Sequence, residues 1–332
     1  SMTEQYKTVT VTGATGFVGR ALVARLLREG DMHVRCMVRP DSDRSALLEI
    51  DPNLTFCEGD ITRPHTLPQA LQGSWGVVNL AGYREFWARD RSRFYDINQR
   101  GAENVFRACL EEGVSRVVQV STPLAYGVPA ERPFDEQSRP GRHPSDYGRS
   151  KYLGDQAGWR LHEEAGLPLT IVYLAAVIGA GDDKATMEVR RAVEGRLPAL
   201  VGADTTYTYV YIQDAAEAIA RALLNPAATG RRYLIGNQRA TTREYFEIIG
   251  KLADVPVPSR NIPERWLIPL ARAMEWASRR TGVRPMLPLD VIRTTAAGSL
   301  LFDSTRSIDE LGMDYTPLET ALAEAVAEIR AG

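Results

Sequence analysis

Residues 6–19 read YKTVTVTGATGFVG, a short run rich in β-branched side chains followed by a turn that holds three glycines. An amphipathic segment, residues 20–29, comes next. This order predicts a strand, a glycine turn and a helix. Such a turn presents backbone N–H groups and a helix N-terminus to a pyrophosphate, with glycine where a Cβ would block the approach. The stretch predicts a dinucleotide site, although its spacing is GxxGxxG rather than GxGxxG.

The rest of the first half repeats the alternation of strand and helix. Further strands are predicted at residues 33–38, 54–57, 75–80, 116–120 and 169–173, with helical stretches at 43–50, 65–72 and 91–112. Strands separated by helices form right-handed βαβ units. The pattern predicts an α/β protein with a doubly wound parallel sheet, a Rossmann fold, whose ligands lie outside the carboxyl ends of the strands.

The end of the second strand bears on the choice of dinucleotide. Arg39 lies twenty residues after Gly19. An acidic residue here would bind the ribose 2′-hydroxyl of NAD, whereas an arginine suits the 2′-phosphate of NADP. NADP is therefore the preferred cofactor, and NAD stays possible because Asp41 and Asp43 follow closely.

Later strand ends carry further candidates. Asp60 and the pair Ala81-Gly82 are expected to line the adenine and the cofactor backbone, although Asp60 could equally cap the next helix. The aromatic segment 83–87 follows at the same edge, either as the wall of a substrate site or as a loop packed on the core. The fifth strand ends in the hydroxyl pair Ser121-Thr122.

The sequence Tyr147-Gly148-Arg149-Ser150-Lys151 places a phenol and an ammonium four residues apart, about one helical turn. Ser145 or Asp146 is the predicted N-cap of this helix. A nearby cation favours the phenolate, so Lys151 is predicted to lower the pKa of Tyr147 towards useful acid/base range. Taken alone, the pair could equally lie exposed on a helix.

Taken together, the glycine turn, Ser121-Thr122 and the YxxxK pair resemble those of the extended short-chain dehydrogenase/reductase family over nearly the whole chain. The resemblance implies a catalytic set of Thr122, Tyr147 and Lys151, joined by Ser121 and Asn98. It implies cofactor contacts from Gly13, Thr15, Gly16, Phe17, Val18, Gly19, Arg39, Asp60, Ile61, Leu80, Ala81, Gly82, Tyr147, Lys151, Tyr173 and Ala176. The expected substrate contacts are Tyr83, Phe86, Trp87, Leu124, Tyr126, Val177 and Ile178, and no metal site is expected.

Within the family the chain is most similar to dihydroflavonol-4-reductase-like members and to those labelled hopanoid-associated sugar epimerases. The expected reaction is hydride transfer between NADP(H) and a carbonyl or alcohol carbon of a small apolar or aromatic substrate, with Tyr147 as acid/base. A nucleotide-sugar epimerase or dehydratase with retained NAD is the alternative, weakened by Tyr173-Leu174 where many such enzymes have Arg-Pro. A non-catalytic dinucleotide sensor is a third reading.

Beyond residue 176 the alternation breaks down. The predicted division is a Rossmann domain at 3–176, with late strands and a helix near 207–236, and an interleaved substrate-binding cap at 177–206 and 237–332. Ser1-Met2 resembles a remnant of an expression tag. The apolar segment 266–276, flanked by arginines, is read as a packed lid or core helix, with contact to a membrane surface as the alternative.

Composition excludes several classes of function. The formal net charge is −2 and the charges are mixed along the chain, which argues against a general nucleic-acid binder. The three cysteines have no metal-type spacing and indicate reduced thiols in the cytoplasm. No apolar run reaches the ~18 residues of a membrane span. The family resemblance also implies a homodimer through the helices near 91–112 and 147–165.

Overall fold

The computed structural model describes residues 6–181 and 183–332, and the proposed tag remnant Ser1-Met2 lies outside these ranges. The strands are β1 (Lys7–Thr12), β2 (Met32–Val38), β3 (Thr55–Glu58), β4 (Gly76–Asn79), β5 (Arg116–Ser121), β6 (Leu169–Leu174), β7 (Ala176–Ile178), β8 (Leu200–Val201), β9 (Thr206–Tyr211), β10 (Arg232–Ile235), β11 (Gln238–Thr241) and β12 (Asn261–Ile262). The α-helices are α1 (Phe17–Leu26), α2 (Ser45–Ile50), α3 (Leu67–Leu71), α4 (Ser92–Tyr95), α5 (Ala102–Glu111), α6 (Asp146–Ala165), α7 (Asp183–Val193), α8 (Ile212–Leu224), α9 (Thr242–Ala253), α10 (Glu264–Thr281), α11 (Leu289–Ala296), α12 (Thr305–Leu311) and α13 (Leu318–Ala331).

A seven-stranded parallel sheet forms the centre of the molecule. Its strand order is β10-β6-β5-β4-β1-β2-β3. The strand order reverses beside β1, which is the crevice where doubly wound sheets bind their ligands. Strands β4 and β6 are buried along their whole length, as expected for apolar strands covered by helices on both faces. The predicted Rossmann fold is confirmed.

The helices cover the sheet in two layers. Helices α1 and α8 pack together on one side, and α5 packs between α3 and α6 on the other. Helix α6 approaches its neighbour closely at Gly154, where an added Cβ would lie 2.2 Å from the carbonyl oxygen of Asn98. This contact holds α6, the helix that carries Tyr147, against the π-helical turn Asp96–Gly101.

The second half builds smaller sheets beside the main one. Strand β9 pairs with β7 and β11, and β8 pairs with β12. Helices α7, α9 and α13 pack together next to these strands, and α10 packs on α11. The strand expected near 207–212 therefore exists as β9, but the expectation that it extends the main sheet is wrong. The main-sheet edge beside β6 is already occupied by β10, so β9 adds to β7, which continues beyond β6.

Candidate active site

A cleft of about 690 Å³ lies at the carboxyl ends of β1, β2, β3 and β4. Twelve of the expected cofactor residues line it: Gly13, Thr15, Gly16, Phe17, Val18, Gly19, Arg39, Asp60, Ile61, Leu80, Ala81 and Gly82. Two expected substrate residues, Tyr83 and Val177, line it too. Two charged residues of the segment 83–87, Arg84 and Glu85, also line it. The lining is completed by residues that no sequence pattern marked as contacts: Arg20, Met37, Val38, Ser42, Gly59, Thr62, Arg93, Ile97 and Gly181.

The glycine turn has the shape that a dinucleotide requires. Gly13 has φ +66°, and a Cβ there would lie 2.7 Å from backbone atoms of Leu80 and Ala81. A Cβ at Gly19 would lie 2.3 Å from the Gly13 carbonyl oxygen, whereas one at Gly16 would meet that oxygen only at 3.5 Å. Gly13 and Gly19 are thus needed for packing, while Gly16 leaves the N-terminus of α1 open to the cleft. An anion fits at this helix end, and no side chain caps it.

The other end of the cleft carries a positive charge where an adenosine ribose would lie. Arg39 and Ser42 line it directly after β2. The Asp43 carboxylate is used locally, since it accepts hydrogen bonds from the backbone nitrogen and hydroxyl of Ser45 at the start of α2. Asp60 accepts from Thr62 at 2.9 and 2.7 Å, so it caps a turn and also lines the cleft. Burial opposes ionisation of Asp60, but the Thr62 hydrogen bonds and the Arg39 charge lower its pKa overall.

Lys151 lies next to Gly82 on the cleft wall, and Tyr147 comes one turn earlier on α6; neither residue lines the cleft itself. A Cβ built on Gly82 would lie 4.0 Å from the Lys151 ammonium nitrogen. The Tyr147 ring packs edge-to-face on Phe86, with ring centres 5.7 Å apart. Ser145 caps α6 by accepting from the backbone nitrogen of Gly148 at 3.0 Å, which confirms one of the two predicted N-caps. The cap starts the helix so that Tyr147 is in its first turn.

Thr122 is buried directly after β5 and caps the short 3₁₀ helix Pro123–Tyr126. Its hydroxyl oxygen accepts from the backbone nitrogen of Leu124 at 3.2 Å. The hydroxyl proton remains for donation to a bound molecule, because a hydroxyl both donates and accepts.

A buried chain of polar side chains crosses the strand ends beneath the cleft. The Thr12 hydroxyl donates to Asn79, and the Asn79 amide donates to Gln119 at 2.8 Å. Gln119 and Ser121 both donate to the Asp155 carboxylate, at 3.3 and 2.5 Å. Asp155 lies one helical turn after Lys151, and its charge acts on the Lys151 ammonium group.

These surroundings determine how the site titrates. Burial lowers the pKa of Lys151 to about 8, an effect that the Asp155 charge opposes. Burial also raises the pKa of Asp155 to about 6, against the pull of Lys151 and the hydrogen bonds of Ser121 and Gln119. Two coupled groups of opposite sign therefore change charge on either side of neutral pH.

The predicted effect of Lys151 on Tyr147 is wrong in this structure. Burial raises the pKa of Tyr147, and the cation that lowers it is Arg84, while Asp155 raises it further. The physical reason is that the Lys151 ammonium donates to the carbonyl oxygen of Val120 at 3.1 Å and faces Asp155, whose charge offsets its own. The phenol of Tyr147 is therefore held in its protonated form and is a weaker acid than a free tyrosine.

Two residues expected in the catalytic set are fully occupied by structural hydrogen bonds. The Ser121 hydroxyl is buried and donates to Asp155. The Asn98 amide donates to the Tyr83 carbonyl and the Ser150 hydroxyl, both at 3.0 Å, and accepts from the Tyr83 nitrogen at 2.7 Å. Both side chains position neighbours of the site. Asn98 lies in the π-helical turn, a feature that often occurs at functional sites.

Several other expected contacts are packed away from the cleft. Tyr126 donates to the Glu136 carbonyl, and its ring packs on those of Phe134 and Tyr173 in the core. Tyr173 is 4% exposed, so its side chain does not reach a cofactor in the cleft. The side chains of Trp87 and Ile178 are also buried, whereas Ala176 is exposed. Leu124 lines a separate small cavity with Ser145 and Tyr207.

Next to Tyr147, a cluster of ion pairs joins α6 to helices α10 and α11. The Arg91 guanidinium pairs with Asp146 and with Asp290 of α11, and Glu275 of α10 lies 4.0 Å away. Asp290 also accepts from the backbone nitrogen of Asp146 at 3.1 Å. Asp290 lies 144 residues after Asp146 in the sequence, so no local pattern marks the two carboxylates as partners of one arginine.

Comparison with known proteins agrees with this geometry. The family model for the NAD dependent epimerase/dehydratase family matches residues 9–236. A Synechocystis sp. protein named as a dihydroflavonol 4-reductase is 30% identical over 95% of this chain and 92% of its own length. Sterol demethylase protein B of Methylococcus capsulatus is 29% identical over 97% and 98%. The solved structure of gox2253 is 31% identical, covers 98% of both chains and has a TM-score of 0.83.

The match covers more than half of the chain, and it includes the glycine turn, the hydroxyl pair after β5 and the first turns of α6. The chain therefore belongs to the NAD dependent epimerase/dehydratase family, the extended short-chain dehydrogenases/reductases, whose members are NAD(P)-dependent reductases, epimerases and dehydratases.

Proposed function

We propose that this enzyme transfers a hydride between NADP(H) and a carbonyl or alcohol carbon of a small apolar or aromatic substrate. The observation that carries the proposal is a cleft lined by Arg39 and Ser42 whose Gly82 wall lies next to Lys151, one turn of α6 from Tyr147. Arginine binds a phosphate through charge-assisted hydrogen bonds. Of the two acidic residues that follow Arg39, Asp43 is engaged by Ser45 and Asp41 is exposed.

Each residue of the catalytic set has a role that fits its surroundings. A bound nicotinamide supplies the hydride chemistry, while the protein supplies orientation and charge. Tyr147 is protonated at neutral pH and gives its proton to the carbonyl oxygen, or takes it back in the reverse direction. Thr122 donates to the developing oxyanion, an interaction worth roughly 3 kcal/mol where measured. Lys151 hydrogen-bonds the nicotinamide ribose and is kept charged by Asp155.

The substrate end of the site combines aromatic and apolar side chains with the charged residues Arg84, Glu85 and Arg93. Phe86 lies against Tyr147, and Tyr83 and Val177 line the neighbouring wall of the cleft. We propose that β7, β9 and β11 with α7, α9, α10, α11 and α13 form the substrate cap that closes this end. The names of the relatives, a dihydroflavonol reductase and a sterol demethylase, are those of proteins with largely apolar substrates, which supports an apolar substrate here.

The test is titration with NADPH and NADH, followed by a panel of ketones and aldehydes monitored by nicotinamide absorbance. Tighter binding of NADPH and loss of absorbance with apolar ketones are expected. Tyr147→Phe keeps the ring on Phe86 but removes the proton donor, so we expect turnover to fall by about 10²–10⁴ with cofactor affinity nearly unchanged. Tyr152→Phe, the same change one turn later on α6, is the matched control. Near-wild-type turnover of Tyr147→Phe contradicts the assignment.

A nucleotide-sugar epimerase or dehydratase that retains NAD is the second candidate, supported by the family model. Purified protein that carries tightly held NAD and shows no net change in nicotinamide absorbance during turnover would favour it. A non-catalytic dinucleotide sensor predicts cofactor binding without turnover of any substrate.

We also propose a cytoplasmic homodimer. The cysteines Cys36, Cys57 and Cys109 are free thiols in this structure, and α5 and α6 are the helices expected at the dimer interface. A single monomeric species in light scattering at micromolar concentration would contradict the dimer.

A further inference from the structure

The outer face of α10 exposes large apolar side chains. Trp266 is 67% exposed, Leu270 53% and Trp276 60%. At 100° per residue these side chains, with Pro269 and Ala273 between them, form one strip along the helix. We call this strip the α10 outer face. The opposite side of the helix, with Ala271 and Ser278, is buried as expected for a packed lid, so the apolar strip is additional to the surface that packing requires.

A row of arginines borders the strip. Arg265, Arg272 and Arg279 are exposed and are spaced seven residues apart, which places them in line along one edge of the α10 outer face. The two acidic residues of the helix are withdrawn from this surface. Glu275 is 4% exposed and accepts from the backbone nitrogen of Leu289, and Glu264 is half-buried beside Gly202.

Exposed apolar side chains continue beyond the end of α10. Val283 is 68% exposed and Met286 is 81% exposed. Arg280 lies over the Trp276 ring at 4.2 Å, so a charged head and an aromatic ring share one patch of surface. Every exposed charged residue between 264 and 286 is an arginine, on a chain whose net charge is −2.

We propose that the α10 outer face docks on the surface of an anionic lipid bilayer. Arginine stems lie along apolar surface while their guanidinium groups reach the lipid phosphates, and tryptophan favours the boundary between headgroup and acyl chain. A helix with apolar side chains beside a basic row lies in the plane of that boundary. A partner protein would need an apolar groove and acidic residues that match the strip and the three in-line arginines. A bilayer offers apolar acyl chains beside anionic headgroups at every point of its surface. Among the described residues, no helix is long and apolar enough to cross a bilayer, so the contact is peripheral.

The surface adjoins the loop that carries the substrate residues. Arg284 pairs with Glu85 at 2.7 Å, and Glu85 lines the cleft. Arg89 donates to the carbonyl oxygens of Arg279 and Arg280. Docking therefore places the loop containing Phe86 close to the lipid, where apolar compounds concentrate. The conclusion that the substrate is taken from the bilayer rests on the proposed function, whereas the docking itself does not.

Sedimentation with lipid vesicles tests the docking without turnover. The full-length protein is mixed with vesicles of phosphatidylcholine containing phosphatidylglycerol, and with vesicles of phosphatidylcholine alone. We expect binding to the anionic vesicles that weakens with salt. Each arginine near an anionic surface contributes about fivefold to affinity, so the triple change of Arg265, Arg272 and Arg279 to alanine is expected to weaken binding by about a hundredfold.

A matched control removes the same charge elsewhere. Alanine at Arg28, Arg139 and Arg260, which are exposed outside α10, is expected to leave vesicle binding nearly unchanged. The double variant Trp266→Ala with Trp276→Ala is expected to weaken binding about tenfold or more, because it removes the apolar anchors. Thermal unfolding of each variant excludes misfolding as the cause.

Three outcomes would overturn the docking: no binding to anionic vesicles, equal loss in the control variant, or an oligomer that dissociates when the two tryptophans are replaced. The last outcome assigns the α10 outer face to a second copy of the chain. If the unaltered protein reduces a water-soluble ketone but does not bind anionic vesicles, the docking alone is refuted. Vesicle binding without reduction of any carbonyl compound refutes the proposed function alone.

Discussion

Replacing Asp155 by asparagine removes the negative charge beside Lys151 while keeping the shape of the side chain. The asparagine oxygen still accepts from one donor, and the Ser121 hydroxyl can rotate to accept from the new amide. The hydrogen-bonded chain beneath the cleft is therefore expected to survive. What changes is the charge balance of Lys151, because burial and Arg84, which both lower the pKa of that lysine, are no longer opposed.

The size of the effect follows from the spacing on α6. Side-chain charges one helical turn apart lie about 6 Å from each other, and at an effective dielectric constant of about 20 their attraction is about 3 kcal/mol, or about two pH units in the titration of the lysine. The wild-type pKa of Lys151 is about 8. A lysine is charged below its pKa, so the variant loses the charged form at lower pH than the wild type does.

The assay is the pH dependence of ketone reduction at saturating NADPH. We expect the alkaline limb of the profile to move down by about two pH units in Asp155→Asn, with activity recovered towards acid pH. Ser121→Ala is the matched control, since it removes a hydrogen bond to the same carboxylate but leaves its charge. A uniform loss at every pH, or an unshifted limb, would refute the idea that Asp155 acts by keeping Lys151 charged.

Three further perturbations test other parts of the site. Arg91→Ala leaves Asp290, whose side chain is 4% exposed, without its cation and is expected to lower the free energy of unfolding by about 3 kcal/mol in denaturant titration. Arg100→Ala, which breaks an exposed pair on the same side of the sheet, should cost less than about 1 kcal/mol, and equal costs would contradict the role of the cluster. Gly13→Ala combines a positive φ with a clash against the backbone after β4 and is expected to abolish dinucleotide binding in calorimetry. Gly113→Ala has a similar φ with open space around it, so it should cost only about 1 kcal/mol and keep binding. Arg39→Ala is expected to weaken NADPH at least tenfold while NADH changes little, and parallel loss of both cofactors would remove Arg39 as the selector.

The first half of the fold was predictable because its signals are local. A β-branched run followed by a glycine turn specifies strand, turn and helix over residues 7–26 whatever the remainder of the chain does. The same holds for the Ser145 cap and for the YxxxK spacing, which depend only on helix geometry. The residues expected at the cofactor that directly follow β1 to β4 do line one cleft, because parallel strands bring their carboxyl ends to one edge.

The sequence could not reveal which way each side chain turns at that edge. Tyr126 follows β5 and Tyr173 lies near the carboxyl end of β6, two strands of the same sheet, yet their rings pack into the core. Ser121 and Thr122 are neighbours, but side chains alternate along a strand. The Ser121 hydroxyl therefore donates to Asp155, whereas the Thr122 hydroxyl accepts from the Leu124 nitrogen and keeps its own hydrogen for donation. The pairing of β9 with β7 was equally hidden, because the choice depends on β10 occupying the main-sheet edge.

By itself, the sequence determined the Rossmann fold and the glycine turn that lines the cleft, since the strand, turn and helix signals that specify them are local. Only the tertiary structure decided the charge state of the site. Burial raises the pKa of Tyr147 and lowers that of Lys151, and the Asp155 charge raises both. The pKa of a buried group depends on how much water its neighbours exclude and on charges that come from distant parts of the chain. Neither can be predicted from the spacing of residues in one segment.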